Sequence, residues 1–331
     1  MAVTIYREGD GDVSLLRRGG VAVIGYGNQG HAHALNLRDS GIDVIVGQRP
    51  GPSGDRAVSD RFQPRSIERA AANARVVILT LPDESASMVY EELIAGVLRP
   101  GQTLGFVHGF NIRYDLIKPP DSVNVVMVAP KGPGALLRSL YKQNKGLPAL
   151  MAVHQDADGH ARQMALSWAA GIGSTRAGVI ETTFASETET DLFGEQVVLC
   201  GGLTALTKAA FETLVEAGYE PEFAYLECVH ELKQIADLMY ERGLCGMRDA
   251  ISNTAEYGDV TRGPRIIGQA VRDEMKRVLE EVRNGSFARE WIEEFKGGGK
   301  RVKALYEADS DSAMERAGRN IRALMPWLNP R

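Results

Sequence analysis

The sequence predicts an α/β fold: a Rossmann-type N-terminal domain followed by an all-α C-terminal domain. Three observations indicate this. Short apolar, β-rich runs alternate with helical stretches through the first half of the chain. A G-x-G-x-x-G motif follows the first long run, and no convincing strand pattern occurs after residue 181. The 331 residues suit two domains, which we predict at 1–182 and 183–328.

Six runs in the first half have the composition of buried strands in a largely parallel sheet. They are VAVIGYG, DVIVGQ, RVVILTLP, QTLGFVHG, NVVMVAPKG and PALMAVHQD. Helical patterns fit between them, for example over 29–40 and 66–73. This alternation predicts an open, doubly wound sheet.

Apolar residues in the second half recur at helical spacing. The predicted helical segments are 190–217, 222–243, 264–284 and 312–324, and the KGGGKR stretch near 297 is interpreted as a flexible connector. The first two segments are apolar around most of their circumference, so they must be covered on several sides. We therefore expect a homodimer or a higher homo-oligomer.

Composition and charge exclude several classes of function. A formal net charge of −5 argues against a nucleic-acid partner, which needs a basic surface. No apolar run is expected to reach the length of a membrane span, and the first residues lack a secretory pattern. The three cysteines suit neither a metal site nor a disulfide framework. We expect them reduced and mostly buried, in a cytoplasmic protein.

The dinucleotide-binding motif consists of Gly25, Gly27 and Gly30, placed directly after a strand and at the start of a helix. These glycines allow the backbone to approach a pyrophosphate at the helix N-terminus. At the end of the second strand, Gln48 and Arg49 favour the 2′-phosphate of NADPH. Asp55, farther along the same loop, leaves NADH possible.

The segment ETETDLFGEQ carries more carboxylates than the start of a helix requires. Glu187 and Glu189 are explained by the helix dipole and by a capping box that begins at Ser186. Asp191 and Glu195 are not, because they share one face of an otherwise apolar helix. Buried carboxylates need a positive partner.

A second acidic pair, Glu227 and Glu231, has the same spacing on another apolar helix. Taken alone, this pair is explained by a solvated stripe with Glu231 paired to Lys233. Together, the two pairs form an all-oxygen ligand set suited to two Mg²⁺ ions.

Polar residues also follow two of the predicted strands, in the stretches FVHGFNI and APKGPG. Residues at the carboxyl ends of strands in an open α/β sheet line the ligand crevice. Lys131 can bind an anionic substrate group and His108 can move protons. The alternative for His108 is a structural loop histidine.

These motifs closely resemble ketol-acid reductoisomerase, an enzyme of branched-chain amino-acid biosynthesis. The resemblance is carried by GYGNQGHAHALNLRDSG, HGFNI, APKGPG, ETTFASETETDLFGEQVVLCGG, ECVHELK and SNTAEYGD, and it runs from about residue 3 to 327. It implies an NADPH- and Mg²⁺-dependent enzyme of the short form, acting on 2-acetolactate or 2-aceto-2-hydroxybutyrate. It also implies a knotted helical domain and an active site shared across a dimer.

The resemblance implies a role for each matching residue. The metal ligands are Asp191, Glu195, Glu227 and Glu231, and the catalytic residues are His108, Lys131 and Glu231. Ser252 binds the substrate carboxylate. The cofactor contacts are Gly25, Tyr26, Gly27, Asn28, Gln29, Arg49, Ser53, Asp83, Glu84, Ser85, Ala86 and Gly134.

The chain departs from the family pattern at several positions. Pro52 and Gly54 replace the two serines of the cofactor loop, so NADH use stays open. Ala135, Asp249 and Ala250 also differ from the usual residues. These departures leave open a specialised paralogue for a related acyloin acid. Two further alternatives are a metal-independent β-hydroxyacid or imine reductase and a non-catalytic NADP sensor.

Overall fold

The chain folds into two compact units, Met1–Thr190 and Asp191–Arg331. The structure is a computed structural model that describes residues 3–328. The first unit is a Rossmann-type α/β domain and the second is helical, which confirms the predicted fold class. The knot stays a prediction.

An eight-stranded sheet forms the centre of the first unit. Its strands β1 to β8 are Ile5–Tyr6, Val21–Ile24, Val44–Gly47, Val76–Leu79, Thr103–Phe106, Asn124–Pro130, Ala149–Gln155 and Val179–Glu181. Their order is β1-β8-β7-β6-β5-β4-β2-β3. Strands β2 to β6 pair in parallel, whereas β6 with β7 and β1 with β8 are antiparallel. All six predicted runs are strands, and β1 and β8 are additional.

Helices cover both faces of this sheet. Those of the first unit, α1 to α8, are Ser14–Arg17, Asn28–Asp39, Pro52–Ser59, Ile67–Ala72, Asp83–Leu93, Phe110–Arg113, Gly134–Lys142 and Ala161–Gly171. Along β2, Val21 and Val23 belong to one apolar cluster, and Ala22 and Ile24 belong to another. Because both sides of the strand are buried, the strands are continuous apolar runs in the sequence.

The sheet has a topological switch point between β2 and β4. After β3 the chain returns to the other side of β2 to form β4, so β2 has β3 and β4 as parallel neighbours. In an open α/β sheet, ligands bind in the crevice at the carboxyl ends of such strands. The glycine-rich turn after β2 lies at this edge.

The helices of the second half, α9 to α17, are Phe184–Gly194, Gly201–Glu216, Pro221–Tyr225, Glu231–Arg248, Asn253–Ile266, Gln269–Arg283, Ser286–Lys296, Lys300–Ser310 and Ala313–Ala323. Within 182–328 the structure contains no strand, as predicted. Two turns are π-helical, Glu195–Leu199 and Leu226–His230. In the second unit, a small core forms around Phe211, Tyr225 and Ile321.

The expectation about apolar run length was wrong. The π-helical turn after α9 joins it to α10, and the resulting helix Phe184–Glu216, 33 residues long, is long and apolar enough to cross a membrane by length and composition alone. Core helices of proteins that do not enter a membrane pass the same test. This helix also carries three carboxylates one turn apart, which oppose insertion into lipid.

The expectation that the cysteines are mostly buried was also wrong. Cys200 and Cys245 are exposed and Cys228 is half-buried, and all three are free thiols. They lie at or near helical faces of the second unit that a single chain leaves uncovered.

Candidate active site

The glycine-rich turn leaves room for a dinucleotide. Gly25 has a φ of +96°, and a Cβ there would lie 2.9 Å from the carbonyl oxygen of Thr80. The hydroxyl of Thr80 donates to the carbonyls of Ile24 and Gly25, so β4 fixes the turn. At Gly27, which precedes α2, an added Cβ would meet no atom within 4 Å. Open space at a helix N-terminus suits a pyrophosphate.

Tyr26 and Gln48 are part of the support for this turn. The Tyr26 side chain is buried, and its hydroxyl donates to Asp60 at 3.0 Å. Its backbone N–H donates to the Gln48 side-chain oxygen at 3.0 Å. Burial and the hydrogen bond to Asp60 raise the pKa of the Tyr26 phenol. Gln48 therefore anchors the turn.

The other residues predicted to bind the cofactor lie at the starts of helices. Asn28 and Gln29 begin α2, Ser53 lies in the first turn of α3, Asp83 to Ala86 form the first turn of α5, and Gly134 begins α7. Arg49 follows β3 and is exposed, as is Asp55 in the first turn of α3. The loop after β3 thus carries opposite charges at its two ends.

A buried carboxylate, Glu187, joins the two predicted catalytic residues. His108 lies just beyond β5 and Lys131 follows β6, which is its parallel neighbour. Lys131 Nζ donates to Glu187 Oε1 at 2.7 Å, and the backbone N–H of Gly109 donates to Oε2 at 3.0 Å. His108 Nδ1 lies 3.1 Å from Oε2 and 3.2 Å from Oε1. The Glu187 side chain is 1% exposed.

These partners keep Glu187 ionised. Burial raises the pKa of its carboxyl, but the hydrogen bonds and charges of His108 and Lys131 outweigh burial and lower the pKa to about 2. An ionised carboxylate only accepts hydrogen bonds, so His108 Nδ1 carries a proton. In the neutral ring, His108 Nε2 is then the basic nitrogen.

Glu187 is the functional residue that sequence reasoning missed. It was assigned to the helix dipole, although Glu187, Asp191 and Glu195 form an i, i+4, i+8 series that places three carboxylates along one helix face. The capping assignment was wrong as well. The helix begins at Phe184, so the capping residue is Thr183 and not Ser186. Thr183 Oγ1 accepts the backbone N–H of Ser186 at 3.0 Å. Asp191 therefore lies about two turns inside α9.

Helix α9 approaches the loop after β5 closely because residue 109 is glycine. A Cβ at Gly109 would lie 2.3 Å from Thr188 Oγ1 and 2.9 Å from the Phe184 carbonyl oxygen. Arg113 and Glu189 form a second contact between this loop region and α9, at 2.9 Å. The two contacts hold Glu187 against His108.

The predicted metal ligands lie beside the π-helical turns. Asp191 is in α9, one turn beyond Glu187, and Glu195 begins the first π-helical turn. Glu227 lies in the second one, and Glu231 begins α12. Such turns inside α-helices are frequent at functional sites.

Of the four predicted ligands, Asp191 lies in a cluster that could hold a metal ion, together with His108 and Glu187, and the ligand atoms of the three lie within 4.8 Å of one another. Among residues 3–328, no three of the four predicted carboxylates form such a cluster. Glu195, Glu227, Glu231 and Ser252 are exposed, and Ser252 caps α13 by accepting the backbone N–H of Ala255. Lys233 forms its ion pair with Asp237, and not with Glu231 as the solvated-stripe alternative suggested.

The dinucleotide turn at the switch point, together with the His108–Glu187–Lys131 cluster, defines an oxidoreductase that uses a nicotinamide dinucleotide. Family models for "Acetohydroxy acid isomeroreductase, NADPH-binding domain" and "Ketol-acid reductoisomerase, C-terminal domain" match residues 15–178 and 184–327. The chain therefore belongs to the ketol-acid reductoisomerase family, as the sequence motifs predicted.

Comparison with solved structures supports this family assignment. An NADH-preferring ketol-acid reductoisomerase from an uncultured archean is 46% identical, with a TM-score of 0.95 over 98% of this chain and 99% of that chain. Two others share the fold at 18% identity. A semialdehyde dehydrogenase NAD-binding protein from Cupriavidus necator has a TM-score of 0.60 over 80% of this chain and 98% of its own. A pyrroline-5-carboxylate reductase from Coxiella burnetii has 0.54 over 80% and 96%.

We expect Glu187→Gln to lower turnover by at least about 100-fold, because it removes the charge that orients His108 and Lys131. It should also lower the free energy of unfolding by roughly 2–3 kcal/mol at pH 7. The folded-state pKa lies below the ordinary 4.5, so this stabilisation is present above pH 4.5 and is lost as the pH falls toward 2. Urea unfolding at pH 7, 5 and 3.5 measures the difference between wild type and variant.

The matched control is Glu189→Gln, which changes an acidic residue two positions away that pairs with Arg113. Its turnover should fall less than about tenfold, the range of a partly exposed ion pair. Equal loss in both variants would show that Glu187 has no special role.

Proposed function

We propose that this protein converts 2-acetolactate or 2-aceto-2-hydroxybutyrate to the corresponding 2,3-dihydroxy acid, in valine and isoleucine biosynthesis. The reaction is an alkyl migration followed by reduction with NADPH. The observation that carries the proposal is the buried Glu187, which binds both His108 and Lys131 at the strand ends where the sheet presents ligands. Family membership supplies the reaction type.

The side chains have distinct roles in this reaction. The substrate carries a tertiary alcohol, a ketone and a carboxylate. The Lys131 ammonium binds an anionic oxygen, and Ser252 binds the carboxylate. Glu231 accepts the alcohol proton while the alkyl group moves to the adjacent carbonyl carbon, whose oxygen becomes an alkoxide and takes that proton back from Glu231. The former alcohol carbon becomes a ketone, which accepts hydride, and His108 Nε2 delivers a proton from solvent to the alkoxide that the hydride creates.

Two groups would be supplied from solution. Asp191, Glu195, Glu227 and Glu231 would hold two Mg²⁺ ions, and their all-carboxylate donor set fits that ion. When bound, Mg²⁺ supplies Lewis acidity for the alcohol and ketone oxygens, and the nicotinamide supplies the hydride. The glycine-rich turn, Arg49, Ser53, Gly134 and the first turn of α5 would hold the dinucleotide.

We further propose that the active site is shared in a homodimer or higher oligomer. In one chain the four carboxylates form no metal-ligand cluster within residues 3–328. The helices that carry them also expose large apolar side chains, including Val198, Leu199, Met239, Tyr240 and Leu244. A partner subunit would cover these residues and complete the ligand set.

Three further proposals complete this assignment. The domain boundary lies at 182/183, the helical domain is knotted, and the enzyme works in the cytoplasm without a nucleic-acid or membrane partner. The net charge of −5 supports the absence of a nucleic-acid partner.

Metal removal tests the proposed function. Oxidation of NADPH with acetolactate should stop in EDTA and return with Mg²⁺. Asp191→Asn should lower this activity at least about 100-fold yet leave NADPH binding within about threefold, because the glycine-rich turn is in the other unit. Asp273→Asn, an exposed acid on α14, is the control and should behave as wild type.

Other outcomes favour the alternatives. Metal-independent reduction would support a simple reductase, and NADPH binding without turnover would support a sensor. Faster turnover of a related acyloin acid than of both acetohydroxy acids would support a specialised paralogue.

Cofactor preference should depend on the loop after β3. A charge-assisted contact to phosphate contributes roughly 1.5–3 kcal/mol. Arg49→Ala should therefore lower kcat/KM for NADPH about 10- to 100-fold and change that for NADH little. Asp55→Ala should raise the ratio of kcat/KM for NADPH to kcat/KM for NADH, because it removes a negative charge that repels the 2′-phosphate. Arg99→Ala, an exposed arginine before β5, is the control. A wild-type preference for NADH that Arg49→Ala leaves unaltered would show that Arg49 does not read the phosphate.

Subunit mixing tests the shared site. Asp191→Asn and Glu231→Gln proteins should each be inactive, and subunit exchange between them should restore activity. A heterodimer would contain one site with both defects and one site with neither, so about a quarter of wild-type activity is expected at random mixing of two equal subunits. If native mass spectrometry shows heterodimers and no activity returns, each site belongs to one chain.

A further inference from the structure

Two turns of the first unit are in direct backbone contact. One is the glycine-rich turn after β2, and the other is the loop 131–134 after β6. A Cβ at Gly134 would lie 2.0 Å from the carbonyl oxygen of Asn28 and 3.1 Å from the backbone nitrogen of Gln29. Glycine at position 134 is therefore what allows the contact. A displacement of one turn would therefore displace the other.

A side chain also joins the two turns. Gln29 Nε2 donates to the carbonyl oxygen of Gly132 at 3.0 Å, across 103 positions of sequence. On its other side the loop is held by the backbone N–H of Lys131, which donates to the carbonyl oxygen of Pro148 at 2.8 Å. The backbone of Lys131 and Gly132 is thus held by a hydrogen bond at each end, and Gln29 supplies one of the two.

The position of the Lys131 side chain depends on the backbone of Lys131 and Gly132. Lys131 Nζ reaches Glu187 at 2.7 Å, and a lysine has four rotatable bonds between its backbone and its ammonium group. Gly132 has a φ of +156°, which residues with a side chain rarely adopt. Because glycine is free to adopt many backbone conformations, the contacts of this backbone hold it in this one. Losing the Gln29 hydrogen bond would loosen the backbone from which Lys131 starts.

The oxygen of the Gln29 side-chain amide lacks a hydrogen-bond donor in the described part of the chain. Its Oε1 atom is buried and has no hydrogen-bond partner among the described residues 3–328. Buried polar atoms usually have a partner, so a donor from outside the chain is expected at this oxygen. A dinucleotide on the glycine-rich turn carries such donors in its ribose hydroxyls and its carboxamide.

We propose that the Gln29 side chain is a positioning residue that couples occupancy of the dinucleotide turn to Lys131. A bound dinucleotide fixes the amide through Oε1, and Nε2 then holds Gly132 and the backbone of Lys131. The assignment rests on the proposed function only for the role of Lys131. The coupling itself requires only cofactor binding.

Hydrogen–deuterium exchange with NADPH alone tests the coupling without turnover. In the wild type, NADPH should slow exchange of amides in a peptide covering 131–140 at least about threefold. In Gln29→Met, which keeps the side-chain length and loses both hydrogen bonds, this slowing should disappear. NADPH affinity, measured by cofactor fluorescence, should fall by no more than about tenfold, because the cofactor loses one hydrogen bond, and exchange is compared with both proteins saturated with NADPH. The control Gln143→Met changes an exposed glutamine at the end of α7 and should exchange as wild type does.

Steady-state kinetics provide the second readout. Gln29→Met should lower kcat about tenfold, the effect of roughly one neutral hydrogen bond, and should raise KM for NADPH by no more than about tenfold. A change confined to KM would make Gln29 an ordinary cofactor contact and overturn the coupling. An absence of NADPH-dependent slowing over 131–140 in the wild type would overturn it regardless of how the variant folds. Inactivity toward acetohydroxy acids with the exchange pattern intact would instead overturn the proposed function alone.

Discussion

The arrangement of the candidate site depends on one buried carboxylate. Glu187 is almost fully excluded from water, and a carboxylate in that position is costly unless charged and hydrogen-bonding partners surround it. Its partners come from the ends of β5 and β6 and from the Gly109 backbone. Satisfying this single charge therefore fixes the spacing of three chain segments that are distant in sequence.

The sheet explains why these segments meet. Parallel pairing of β5 with β6 places the residues after both strands at the same edge, where the turn after β2 also lies. One strand order thus brings the dinucleotide turn, His108 and Lys131 to the same edge of the sheet. The backbone contact between Gly134 and Asn28 makes this edge a continuous surface.

The sequence predicted the parts of this structure that depend on local pattern. Six strands were visible because burial on both faces makes them unbroken apolar runs. Strands β1 and β8 are two and three residues long and exist through long-range pairing, β1 with β8 and β8 with β7, which no local pattern reveals. Glu187 was hidden because acids are ordinary in a first helical turn, and its partner His108 lies 79 positions away. The four carboxylates were predicted from the sequence as one ligand set, and that set stays a prediction.

The two π-helical turns have a consequence for how this chain can change over evolution. Each holds one more residue than an α-helical turn would, and each adjoins an acidic pair. Removing one residue would restore regular α-helix and leave the residues beyond it facing nearly the same way, because the wider π-helical turn spreads its extra residue over about the same rotation. These two turns are therefore places where the helices tolerate a change of one residue in length. An insertion or deletion elsewhere along them would instead rotate every residue beyond it by about 100°.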